Sequence, residues 1–202
     1  MSFRDDWPKM PDGSDFDGQQ LLTLARSGNS PFNEVWDVNL LIREIEENFG
    51  SQVIDIPFIY NGSNNYVSSC LQSSMLRLRL KCRKGFHIKL SNRPDILARL
   101  ARGDVNMPDY DGFPIHVQIP EVKFEAAVYE LLRSEPNILA SRLLYYRIPI
   151  QHVGPGLDRP QDITGRRLMV FERAEGENNV WRNLSSEQKV RPCFSYQLRS
   201  LC

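Results

Sequence analysis

A helix that carries an acid in the middle of its apolar stripe constrains this chain more than any other feature of its sequence. In PEVKFEAAVYELLRSE, Pro120 suits a first helical position, where its missing N–H costs nothing, and Glu121 suits the positive end of the dipole, so the helix is predicted to start there. Val122, Glu125, Val128, Tyr129 and Leu132 then share one face, and Glu130 lies off it. A carboxylate on a core-facing stripe costs several kcal/mol unless a cation meets it. The preceding strand, ILARL, supplies one: alternation puts Leu97, Arg99 and Ala101 on one face and Ile96, Ala98 and Leu100 on the other. Arg99 is therefore the expected partner of Glu125.

The rest of the chain is ordinary globular material. With 202 residues, 41% hydrophobic and 25% charged, it suits one domain, or one lobe with extensions. The formal net charge is zero, which gives no reason to expect nucleic acid or an anionic membrane as a partner. Cys70, Cys82, Cys193 and Cys202 show no CxxC spacing and no neighbouring His cluster, and read as reduced thiols. The start, MSFRDDWPKMPDGSD, is acidic and lacks an apolar signal region, and no apolar run reaches membrane-spanning length. A cytoplasmic protein is expected.

In chain order, residues 1–17 are rich in Asp, Pro and Gly and should be loose, and residues 18–26 form a short helix. A stronger helix is predicted from Asn33, with Val35, Val38, Leu41, Ile42 and Ile45 on one face, Phe49 completing the edge and Gly50 ending it. Ile54–Tyr60 reads as a first strand, followed by Asn61, Gly62, Ser63, Asn64 and Asn65, which taken alone form a plain hairpin turn. The basic segment Ser68–Gly85 then interrupts the pattern. Its MLRLRLKC core alternates like an amphipathic strand and could serve a polyanion, but excising the segment restores a continuous strand, so an insertion or a translated intron is the favoured reading. FHIKL and ILARL follow as the second and third strands. The connection to the helix holds Asp104, Asp109 and Asp111 without EF-hand spacing and is expected to be a solvated loop, with His116 in a short extended run. Asn137–Ile150 contains a fourth strand and Leu168–Phe171 a fifth.

A strand cation opposed to a helix acid is the arrangement that holds nucleotide phosphates in kinase-type small lobes. NGSNNYV as the loop after the first strand, ILARL, EVKFEAAVYELLRSE and RRLMVFERAEGENNVWRNLSSEQ occur in the order of that lobe. Between Ile54 and Gln188 the chain resembles the N-terminal lobe of an aminoglycoside-phosphotransferase-like protein, of the phosphotransferase enzyme family and of fungal type. The resemblance implies an α+β fold: a protein-kinase-like N-terminal lobe with an antiparallel sheet of about five strands, one packed helix and an N-terminal helical extension. It implies boundaries of 1–32 for the extension, 33–189 for the lobe with its insertion at 68–85, and 190–202 for an aberrant tail. It also implies that ATP is held by Arg99, Glu125 and the Asn61–Asn65 loop, and that the backbone of Phe171, Glu172, Arg173 and Ala174 grips the adenine edge. Arg99 replaces the family's usual Lys, keeping the charge and adding bidentate phosphate geometry.

What the chain does not contain limits the activity that the resemblance implies. Phosphoryl transfer in this family needs a His-x-Asp-type loop and a further Asp for magnesium. Two residues beyond His87, His116 and His152 stand Lys89, Gln118 and Gly154, so no catalytic residue and no metal ligand is assigned. Ser185, Ser186, Glu187 and Gln188 announce a helix that Pro192 cuts short. The expectation is a truncated, catalytically incompetent small lobe of an ATP-dependent kinase, whose full-length relatives act on a small-molecule acceptor and need Mg in a complete large lobe. The alternative is a non-catalytic module that binds a protein partner on its exposed face.

Overall fold

A computed structural model of the chain describes residues 7–10, 12–61, 83–101, 103–107, 110, 112–135, 141–152 and 162–173. It is a mixed α+β structure built on one five-stranded antiparallel sheet. The strands are β1 (Val53–Asn61), β2 (Arg83–Leu90), β3 (Ile96–Ala101), β4 (Leu143–Arg147) and β5 (Leu168–Glu172), in spatial order β1-β2-β3-β5-β4. Helices α1 (Leu21–Arg26) and α2 (Val38–Phe49) precede the sheet, and α3 (Ile115–Ser134) joins β3 to β4. No described helix is long and apolar enough to cross a membrane.

The expected alternation of β3 is observed: Ile96, Ala98 and Leu100 are buried, and Leu97, Arg99 and Ala101 are half-buried on the other face. The first set joins Phe86, Ile88 and Leu90 of β2 and Leu168 and Val170 of β5 in a core that α1 and α2 cover. β1 departs from strict alternation, burying Val53, Ile56 and Ile59. Its register shifts on either side of Asp55, next to Pro57, and a proline without an N–H is tolerated because β1 is an edge strand.

Helix α2 starts later than Asn33. Its cap is Asp37, whose side chain accepts from the Asn39 N–H at 2.8 Å; Val35 consequently lies outside the helix and is exposed. The predicted stop holds, with Gly50 left-handed at φ 59° and its N–H on the Glu46 carbonyl. The expectation of a loose N-terminus fails for part of residues 1–17. Phe16 is buried in the core, Trp7 stacks on it at 6.2 Å, and the Ile59 N–H donates to the Gly18 carbonyl at 2.9 Å. Gly18 is needed there, since a Cβ would stand 2.8 Å from the Ile59 carbonyl oxygen and φ is +77°. This extension and the sheet share one core, with no break in packing at residue 32.

Helix α3 also differs at its start. It begins at Ile115, capped by the Pro114 carbonyl, so His116 is helical and Pro120 stands inside the helix. Gln118 Nε2 reaches back to the Phe113 carbonyl at 2.7 Å and to Tyr110 Oη at 2.6 Å, fixing the entry. Pro120, in the second turn, removes one internal hydrogen bond. The loop before it is less solvated than expected: Asp104 is buried, 3.7 Å from the buried Arg166 Nε. β2 begins at Arg83, so residues 83–85 of the supposed insertion are strand, with Asn61 paired to Lys84; residues 68–82 lie outside the described residues.

Candidate functional site

The face of the sheet turned away from α1 and α2 carries Arg99 and is met by α3, the helix of Glu125. β3 is central, and Arg99 pairs in register with Gly85 on one side and Met169 on the other. Gly85 brings no side chain beside it. Phe171 lies diagonally across, and the Arg99 guanidinium sits 4.5 Å from its ring centroid, a cation–π contact. Tyr129 of α3 meets the same ring edge-on at 4.8 Å, so Phe171, nearly fully buried, is held between helix and cation. Arg99 makes no ion pair and no side-chain hydrogen bond among the described residues. The stacked ring orients the guanidinium while leaving its N–H fork available for an anion such as phosphate.

The expected Arg99–Glu125 ion pair is not formed. Val122 is buried and Glu125, Val128, Tyr129 and Leu132 are half-buried, so the stripe does face the sheet. The cation that meets Glu125 is Arg167, with Nη1 3.7 Å from Glu125 Oε2 and 4.0 Å from Glu121 Oε2. Arg167 stands just before β5, where its carbonyl accepts from the Ala101 N–H at 2.8 Å; the helix acid thus pairs with a cation at the far end of the strand from the Phe171 ring. Sequence spacing cannot separate these arginines, because β5 is brought beside β3 by a long-range pairing. Glu125→Ala should therefore cost roughly 1 kcal/mol, the scale of a partly exposed pair, by leaving Arg167 only its longer contact to Glu121. Urea unfolding of E125A with and without Arg167→Met checks the assignment. A double variant no more stable than E125A would sink it.

The other predicted residues are divided. Asn61 ends β1, while Gly62, Ser63, Asn64, Asn65 and Ala174 lie outside the described residues. Alternation sends Glu172 to the face opposite Phe171. Arg173 turns to Asp95, with Nη1 3.2 Å from Oδ2 and its N–H on the Asp95 carbonyl. Asp95 also takes the buried His87 at 2.7 Å, giving a His87–Asp95–Arg173 cluster that ties the β2–β3 turn to the end of β5. The sequence offered only the alternation of His87 as a signal. As expected, His87 is a strand residue.

His152 makes a different cluster. Its Nε2 lies 3.2 Å from Asp162 and 3.0 Å from Thr164 Oγ1. Burial raises the Asp162 carboxyl, but hydrogen bonds from Thr164 and His152 outweigh it and hold it below the usual carboxylate range. Acid and hydroxyl share one ring nitrogen, so the relay of a nucleophile triad, which uses both, is not present. Among the described residues no group of three His, Cys, Asp or Glu could hold a metal.

Comparison with protein-family models, with curated proteins and with solved structures finds no match to this chain.

Proposed function

We propose that the chain is the small lobe of an ATP-dependent small-molecule phosphotransferase, one that binds nucleotide phosphates at Arg99 and does not transfer phosphate by itself. The observation that carries the reading is the oriented, uncommitted guanidinium on the central strand. Its setting agrees: three strands, a helix bearing an acid, and two more strands follow in the order that kinase-type lobes use. ATP phosphates would accept from Arg99, and Phe171 would fix its direction. Positioning and metal electrostatics supply nearly all of phosphoryl-transfer catalysis, and none of the three histidines begins the His-x-Asp loop that supplies the base in that family.

Calorimetric titration of the full chain with ATP–Mg tests this. Arg99→Ala should weaken binding about tenfold or more, the scale of a charge-assisted hydrogen bond, with little change in thermal stability. Equal affinity in wild type and variant removes Arg99 from the site.

A second reading, a protein-binding module, is favoured by α3, where Phe124 is 72% and Leu131 63% exposed, one turn-pair apart on the side away from the sheet. Absence of nucleotide binding together with a partner lost in F124E/L131E would select it.

A further inference from the structure

A cleft of about 210 Å³ opens where β2 turns into β3, between the end of α2 and the ends of β3, β4 and β5. Its floor is apolar, formed by the buried Phe49, Leu90 and Ile96 with the half-exposed Leu144. Arg93, Arg142, Asp95 and Glu172 line its rim. Because Glu172 points to the core face of β5, the cleft lies on the opposite side of the sheet from Arg99.

The charges at the rim are not equally committed. Asp95 is engaged by His87 at 2.7 Å and by Arg173 at 3.2 Å. Arg93 and Arg142 are exposed and make no ion pair and no side-chain hydrogen bond among the described residues, and the same holds for the Glu172 carboxylate. Two uncommitted cations and one uncommitted acid thus stand over an apolar floor.

We propose that this cleft binds a small amphipathic monoanion, a carboxylate with a short apolar tail. An apolar floor with a few convergent polar groups is the usual make-up of a small-ligand site. At about 30 Å³ per water-sized atom there is room for roughly seven heavy atoms. A carboxylate matches the fork of a guanidinium, and the tail displaces water from Phe49, Leu90, Ile96 and Leu144. With Asp95 offset by Arg173, Glu172 sets the charge: it leaves the two free arginines one positive charge in excess and repels the second charge of a dianion.

The test uses the full chain with labelled Ile and Leu methyls, titrated with hexanoate, hexanol, hexylammonium and adipate. Hexanoate should shift the Leu90, Ile96 and Leu144 methyls saturably and more tightly than the other three, and the R93Q/R142Q double variant should weaken it by about tenfold or more. Both arginines are exposed and uncommitted, so the variant should melt like wild type; hexanoate should bind R99A as it binds wild type, which separates this site from the nucleotide reading. Equal binding of hexanol or hexylammonium, unchanged hexanoate affinity in the double variant, or no methyl shifts at millimolar hexanoate would each overturn the proposal.

Discussion

Trp36→Ala should destabilise the protein by about 3–5 kcal/mol, the cost of emptying a buried aromatic site. Trp36 is 1% exposed and lies outside every helix and strand, yet its ring sits 5.2 Å from Phe32 and 5.8 Å, edge-on, from Phe86 of β2. Phe32 in turn meets Phe16 and Phe86 at 6.2 and 6.4 Å. These four rings join the N-terminal extension to the sheet, so the loss falls on the fold as a whole. Domains of this class have roughly 5–15 kcal/mol of stability in total, and the variant should unfold at a much lower urea concentration. Phe124→Ala is the control: that ring is 72% exposed and should change stability by no more than about 0.5 kcal/mol. A loss at Trp36 no greater than at Phe124 would mean that the extension does not share the core of the sheet.

Glu44→Ala should cost about 3 kcal/mol, because it strands a cation rather than removing a surface pair. Arg147 Nε lies 2.9 Å from Glu44 Oε1, with side-chain exposures of only 10% and 17%. The approach is close but the N–H is not aimed at the oxygen, and the hydrogen bond that the guanidinium does make runs from Nη1 to the Ile163 carbonyl at 2.6 Å. Glu44 also accepts from Tyr145 Oη at 3.0 Å, so α2 is tied to β4 through one carboxylate. Arg147→Met should recover much of the loss in the double variant, since the buried charge is then gone; failure to recover any of it would show that Arg147 is not the residue stranded.

The same cluster makes stability depend on alkaline pH. Burial and the neighbouring Glu44 carboxylate push the Tyr145 phenol up to about 12 from an ordinary value near 10. The folded protein therefore keeps a proton that the unfolded chain loses in that window. Stability is fully present below about pH 10 and falls as pH rises toward 12. Tyr145→Phe should flatten that part of the urea-midpoint profile.

The Arg99 face of the sheet depends on a substitution of partners that has a simple physical origin. A guanidinium beside an aromatic ring is satisfied electrostatically without using its N–H groups, whereas a carboxylate on a half-buried stripe needs a direct cation. Phe171 answers the first requirement and Arg167 the second, so the Arg99 N–H groups are not used by the helix acid.

By itself the sequence determined what local chemistry controls: the alternation of Ile96–Ala101, the stripe Val122–Leu132, the Gly50 stop, and strands at Ile54–Tyr60, Phe86–Leu90 and Leu168–Phe171 within a residue or a few. The alternation, the stripe and the stop depend on backbone periodicity or on a glycine's access to positive φ, and the strands on short apolar runs; none of these needs a distant residue. Tertiary structure alone decided which arginine meets Glu125, that Asp104 is buried against Arg166, that Phe16 and Trp36 belong to the core, and that α3 begins before Pro120. Those outcomes depend on β5 lying between β3 and β4 and on the extension closing over the sheet. Several arginines have equal claims on one acid when only spacing is known. Distance in the folded chain, over which Coulomb energy and desolvation act, makes the choice.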